Sequence, residues 1–158
     1  MLFSTLFTKR VSTERNIDMG FLVRFRHQVP WGKALLLWAL VIFYFSSIPG
    51  SPYPLEVTSS YYVERKGAHV FEYFVLSLLI YGFIWKRFPK EKAAILSALT
   101  IFGATLYGIS DELHQYFTPF RGSKLSDVGF DLFGACLAML ILMLYRYKKS
   151  LSKWGIFL

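Results

Sequence analysis

The sequence predicts an all-α integral membrane protein, a bundle of about four transmembrane helices with both termini in the cytoplasm. Three observations carry that prediction. Hydrophobic residues make up 54% of the 158-residue chain. The apolar residues gather into runs near the length that crosses about 30 Å of hydrocarbon. Blocks of Lys and Arg flank alternate ends of those runs. A chain of this size and apolarity is too short for several soluble domains and too greasy for one. The net charge of +8 invites comparison with nucleic-acid binders. The basic residues fall in blocks between apolar runs, however, so membrane lipids are the expected surroundings and no nucleic-acid partner is expected.

Residues 1–30 read as a basic cytoplasmic arm. Its apolar start, Met1 to Phe7, is too short for a secretory signal and no small-residue cleavage site follows, so no cleaved leader is expected. Met19 offers an alternative start. The first span runs from about Trp31 to Ile48 and is closed by Pro49-Gly50-Ser51-Pro52. The second opens near Lys66, is apolar from Val70 to Trp85, and is closed by charges and Pro89. The third covers about Ala93 to Ser110 and the fourth about Asp127 to Tyr145, so residues 31–146 form the transmembrane domain and 147–158 a basic cytoplasmic tail. Cys136, the lone cysteine, excludes an intramolecular disulfide and reads as a small core residue. Trp31, Trp38 and Trp85 read as interface belt or lipid-facing bulk.

Charge sets the expected threading. Lys9, Arg10, Arg15, Arg24, Arg26 and Lys33 precede the first span; Lys86, Arg87, Lys90 and Lys92 join the second to the third; Arg146, Lys148, Lys149 and Lys153 follow the fourth. These segments belong inside. The other two connections hold Arg65 and Lys66, then Arg121 and Lys124, with acids among them, and belong outside.

With that threading, the polar residues that composition does not explain collect at the outer helix ends. Lys66, His69 and Tyr73 share one face of the second span, with Glu72 beside them about 9 Å along the axis from Lys66. Tyr107, Asp111 and Gln115 form one row at the end of the third span, flanked by Glu112 and His114. Asp127, Asp131, Gly134 and Ala138 follow a helical stripe on the fourth, whose small residues let a neighbouring helix come close, so both aspartates should face the bundle interior. Ionisable groups within a membrane helix cost roughly 2.5–3.5 kcal/mol at its centre and are functional candidates by default. Glu72 and Asp131 are the strongest on that ground. The second and fourth helices also present their N-termini outward, where helix dipoles favour anions. Asp111 and Glu112 sit at an outward C-terminus instead and need a cation, a raised pKa or a basic neighbour, with His69, Lys66, Arg121 or a divalent metal as the candidate partners.

Plainer roles are available to several of these residues. Lys66, Arg121 and Lys124 suit headgroup anchoring, His69 an interhelical hydrogen bond, and Ser126 with Asp127 the N-cap of the fourth helix.

At these residues the chain resembles the VanZ-like family of small bacterial membrane proteins. The matching elements are Phe45-Ser46-Ser47, Lys66-x-x-His69-x-x-Glu72-Tyr73, Asp111-Glu112-x-x-Gln115-x-Phe117, and Arg121 followed by Ser126-Asp127-x-x-x-Asp131-x-x-Gly134. Many members are expected to carry Asn where this chain has Asp131. The resemblance implies a multi-pass protein of the bacterial cytoplasmic membrane, acting at the extracytoplasmic face on cell-wall precursors and contributing to resistance to the glycopeptide teicoplanin. It implies no settled reaction.

Three functions suit such a site. The first is an enzyme, a hydrolase or transferase acting on the phosphate of a lipid-linked substrate. Glu72, Asp111, Glu112, Asp127 and Asp131 are its candidate catalytic carboxylates, and Lys66, His69, Tyr73, Gln115, Arg121 and Ser126 its candidate substrate contacts. A divalent metal is a candidate cofactor, held by some of His69, Glu72, Asp111 and Glu112. The second is a non-enzymatic accessory protein that binds a lipid headgroup, cell-wall precursor or glycopeptide. A transporter or flippase ranks third, because the cytoplasmic halves of the spans are almost purely apolar.

Overall fold

A computed structural model describes residues 29–51 and 59–153. The expectations for most of the N-terminal arm, for Met19 and for residues 154–158 lie outside these residues. Four α-helices organise them: α1 Trp31–Ser47, α2 Ser59–Arg87, α3 Ala93–Tyr116 and α4 Leu125–Lys153. No strand occurs among the described residues.

The helices α2, α3 and α4 are each long and apolar enough to cross a membrane, and α1 is a shorter apolar helix. They run further than the apolar stretches do. α2 begins well before Lys66, α3 continues past Ser110 to Tyr116, and α4 persists through Lys153 into the segment expected to be a tail. Hydropathy marks where a helix leaves hydrocarbon, whereas its hydrogen bonds run on until a turn stops them. Here those stops are the Phe88-Pro89 turn, the Thr118-Pro119 turn and the Pro49-Gly50 pair.

The core divides into two layers. Ile42, Tyr73, Leu76, Ala104 and Ala135 pack together, with Trp38 and Tyr107 against them. Tyr81, Leu96, Ala138 and Met139 form the second, with Trp85 against it. α2 packs most extensively on α4, and the reason is local. A Cβ at Gly134 would run into the Val70 carbonyl, so the absence of one lets the two backbones touch. The small-residue stripe is therefore a contact seam, with Asp127, Asp131 and Ala138 fully buried along it.

Three expectations need correction. The tryptophans join helix to helix: Trp31 lies over Gly82, Trp38 Nε1 donates to the Glu72 carbonyl at 3.0 Å, and Trp85 packs in the second layer. Cys136 is exposed, because the inward face of α4 is taken by Ala135, Ala138 and Met139. Ser126 does not cap α4. The helix has already begun at Leu125, and the Ser126 hydroxyl donates to Asp127 Oδ1 at 3.1 Å.

Candidate functional site

The C-terminal ends of α1 and α3 and the N-terminal ends of α2 and α4 meet at one end of the bundle, and every candidate residue lies there. On α2, positions 66, 69 and 73 fall on the face turned to α4, and Lys66, His69 and Tyr73 are buried. Glu72 is half-buried beside them.

Two cross-helix pairs tie α2 to α4. Lys66 Nζ donates to Asp127 Oδ1, and His69 Nδ1 lies 2.9 Å from Asp131 Oδ1. An ionised carboxylate only accepts, so Nδ1 carries the proton and His69 Nε2 faces the other way, 4.0 Å from Asp127 Oδ2. Arg65 reaches within 4.0 Å of the same Oδ2 and donates to the Gly122 carbonyl at 3.2 Å. Lys66 stands 5.2 Å from the centre of the Phe130 ring. It is thus a buried ion-pair partner, and the headgroup-anchor role does not describe it.

A second network joins α3 to α1 and the α3–α4 turn. Gln115 Nε2 donates to Asp111 Oδ2 at 2.8 Å and to Ser46 Oγ at 3.2 Å. Arg121 Nε donates to Gln115 Oε1 at 3.2 Å, and Arg121 Nη1 donates to the carbonyls of Phe45 and Ile48, the latter at 3.1 Å. Partial burial, with Arg65 nearby, draws the Arg121 pKa below its ordinary value, although a guanidinium stays protonated. Close by, the Gly50 N–H donates to the Pro119 carbonyl at 3.0 Å, and a side chain at Gly50 would strike the Phe120 carbonyl. Phe120 itself takes a left-handed φ of 57°, which turns the chain there.

Among the described residues, the hydrogen bonds to the α3 acids come from neutral groups. Asp111 is held by the Gln115 amide. Glu112 Oε2 accepts from the Ser123 hydroxyl at 3.0 Å and from the Lys124 backbone N–H at 2.8 Å. Amides and hydroxyls of the turn thus satisfy Glu112 Oε2. His114 points away from the cluster, stacked on Phe43 with ring centres 4.5 Å apart and 3.0 Å from Ser47 Oγ.

Of the candidate metal ligands, His69 and Glu112 come together, and Asp127 joins them. One donor atom from each lies within 4.8 Å of the others. Glu72 and Asp111 fall outside this group. Glu72 instead lines a cavity of about 410 Å³ with Phe45, Ile48, Arg65, Ala68, His69 and Arg121. On the opposite face of α2, a groove of about 700 Å³ opens between Val63, Gly67, Val70, Gly129, Phe130 and Phe133, with Lys66 and Ser126 at its polar side.

Reasoning from residue types passed over Ser46, Ser123 and the guanidinium role of Arg65. Ser46 carried a signal, since it lies in the Phe45-Ser46-Ser47 match, yet a serine near a helix end is too common to single out. Ser123 offers none, because its partner Glu112 lies across a turn.

A family model described as VanZ/LLP1 matches residues 31–146. A phosphatidylglycerol–prolipoprotein diacylglyceryl transferase of Psychrobacter arcticus is 29% identical over 113 residues, covering 64% of this chain and 36% of that protein. The chain therefore spans about a third of the length of that curated relative. No solved structure matches.

Proposed function

We propose, from the premise that this chain belongs to the VanZ/LLP1 family, that its polar end binds the phosphate headgroup of an anionic membrane lipid at the extracytoplasmic face. The observation that carries the reading is the 410 Å³ cavity, lined by Arg65 and Arg121 together with the apolar Phe45 and Ile48. A guanidinium is the side chain best shaped for phosphate, and an apolar wall beside it suits the start of a lipid tail. In Arg121, Nε and Nη1 hold the protein, which leaves Nη2 for a ligand. Glu72 lines the same cavity, where its carboxylate is in place to exchange a proton with a bound headgroup. Hydrolysis or group transfer would then proceed at this wall. The name of the Psychrobacter relative, with its phosphatidylglycerol, makes a glycerophospholipid the first ligand to try. A polyprenyl-linked cell-wall precursor is the second.

Titration of the purified chain in phosphatidylcholine nanodiscs, followed by tryptophan fluorescence, reads the binding, because Trp38 is hydrogen-bonded to the Glu72 backbone. Phosphatidylglycerol is expected to change the signal saturably, and Arg65→Gln to weaken it about tenfold, the worth of one charge-assisted hydrogen bond. Equal affinity in wild type and Arg65→Gln would remove the cavity from the reading. A stronger response to polyprenyl phosphate than to phosphatidylglycerol would favour a cell-wall-related substrate, and with it a part in glycopeptide resistance.

Sidedness rests on Lys86, Arg87, Lys90 and Lys92 at the α2–α3 connection and on Arg146 and Lys148 late in α4, at the opposite end of the bundle. In a Cys136→Ser background, an impermeant maleimide applied to intact cells is expected to label Gly122→Cys and to spare Lys90→Cys. The reverse pattern would turn the site toward the cytosol and end the cell-envelope reading. Position 122 accepts the substitution, since a Cβ there meets nothing within 4 Å.

A further inference from the structure

The geometry points to a divalent transition-metal site formed by His69, Glu112 and Asp127, one ligand each from α2, α3 and α4. It goes beyond the lipid reading and stands without it. Each of the three side chains uses one polar atom to fix itself and has a second beyond those bonds. His69 gives Nδ1 to Asp131 and keeps Nε2. Asp127 gives Oδ1 to Lys66 and to Ser126 and keeps Oδ2. Glu112 gives Oε2 to Ser123 and to the Lys124 amide and keeps Oε1. The three residues' donor atoms lie within 4.8 Å of one another.

A second observation is independent of that clustering. Glu112 Oε1 and Asp127 Oδ2 are buried oxygens with no hydrogen-bond partner among the described residues, on residues 5% and 0% exposed. A buried carboxylate oxygen without a partner is costly, and two of them, on residues whose donor atoms cluster with an imidazole, call for a cation.

The outer contacts have the form that metal ligands take. A ligating histidine is normally oriented by a carboxylate on its other nitrogen, and ligating carboxylates are themselves hydrogen-bonded. Bonds of about 2.0–2.1 Å in a tetrahedral site hold ligand atoms about 3.3 Å apart. The 4.0 Å between His69 Nε2 and Asp127 Oδ2 lies within about 1 Å of that spacing. Imidazole in the donor set favours zinc, manganese or iron(II) over calcium and magnesium, which take oxygen only. Three protein ligands leave a fourth position open, as in metal sites that bind an exchangeable group.

The test uses the full chain in lipid-free detergent, so that its outcome is separate from lipid binding. After EDTA stripping and dialysis, calorimetric titration with zinc chloride and with manganese chloride is expected to show one ion per chain. Glu112→Gln and His69→Gln, judged folded by circular dichroism and gel filtration, are expected to lower affinity at least a hundredfold. Asp131→Asn should lower it about tenfold, the effect of loosening a supporting contact. The exposed Glu64→Gln should leave it unchanged. Absence of binding in the wild type, or binding that survives the double variant Glu112→Gln/His69→Gln, overturns the proposal. So does equal loss in Glu64→Gln. X-ray absorption of the zinc-loaded wild type supplies a readout that needs no variant. One imidazole with oxygen ligands is expected, and a sulfur ligand or a spectrum lacking imidazole sinks the site.

Discussion

Asp127→Ala is expected to destabilise the protein by about 3–5 kcal/mol, the cost of removing one partner from a buried ion pair. Asp127 is fully buried and Lys66 nearly so, and Lys66 lies within a helix apolar enough to cross a membrane. Water is poorly placed to solvate the ammonium once its carboxylate is gone. The same substitution withdraws the carboxylate oxygen that lies 4.0 Å from Arg65. The double variant Lys66→Met/Asp127→Leu removes both charges and is expected to recover most of the loss, since apolar replacement of a whole buried pair is often neutral or stabilising. Unfolding in dodecylmaltoside micelles, as a double-mutant cycle, measures the coupling. A cost below about 1 kcal/mol for Asp127→Ala would mean that Lys66 reaches water and that the pair behaves as a surface bridge.

Gly134→Val carries the second large effect. Its added carbon atoms would meet the backbone of Val70, which cannot rotate away as a side chain can. α2 and α4 must separate, at the 1–3 kcal/mol typical of overpacking or more. Because both cross-helix pairs, Lys66 with Asp127 and His69 with Asp131, bridge these two helices, lipid and metal binding should fall together with stability. Gly129→Val on the same helix is the control. A Cβ at 129 has no neighbour within 4 Å, so stability there should change by less than about 1 kcal/mol, set by helix propensity alone. Similar losses at both positions would show that Gly134 is not the point of closest approach.

The features legible in the sequence were those with helical periodicity. The stripe of Asp127, Asp131, Gly134 and Ala138 has a spacing that only one helix face satisfies, and its burial followed. Lys66, His69 and Tyr73 on α2 were legible for the same reason. The lateral order of helices was not, because hydropathy carries no information on which helix neighbours which. Asp111 met Gln115, its row neighbour one turn on in the same helix, and Glu112 found a turn amide that no side-chain pattern encodes. Cys136 failed for a related reason. In a helix apolar on every side, composition cannot separate the face that meets protein from the face that meets lipid.

The shortness of α1 has a consequence for the surrounding bilayer. At 17 residues it is about 25 Å long, some 5 Å less than a typical hydrocarbon core. Lipids accommodate such a deficit by compressing their chains beside the short segment. Were α1 to cross the bilayer, the phosphate layer on that flank would dip toward Arg121, whose guanidinium holds the Phe45 and Ile48 carbonyls at the end of α1.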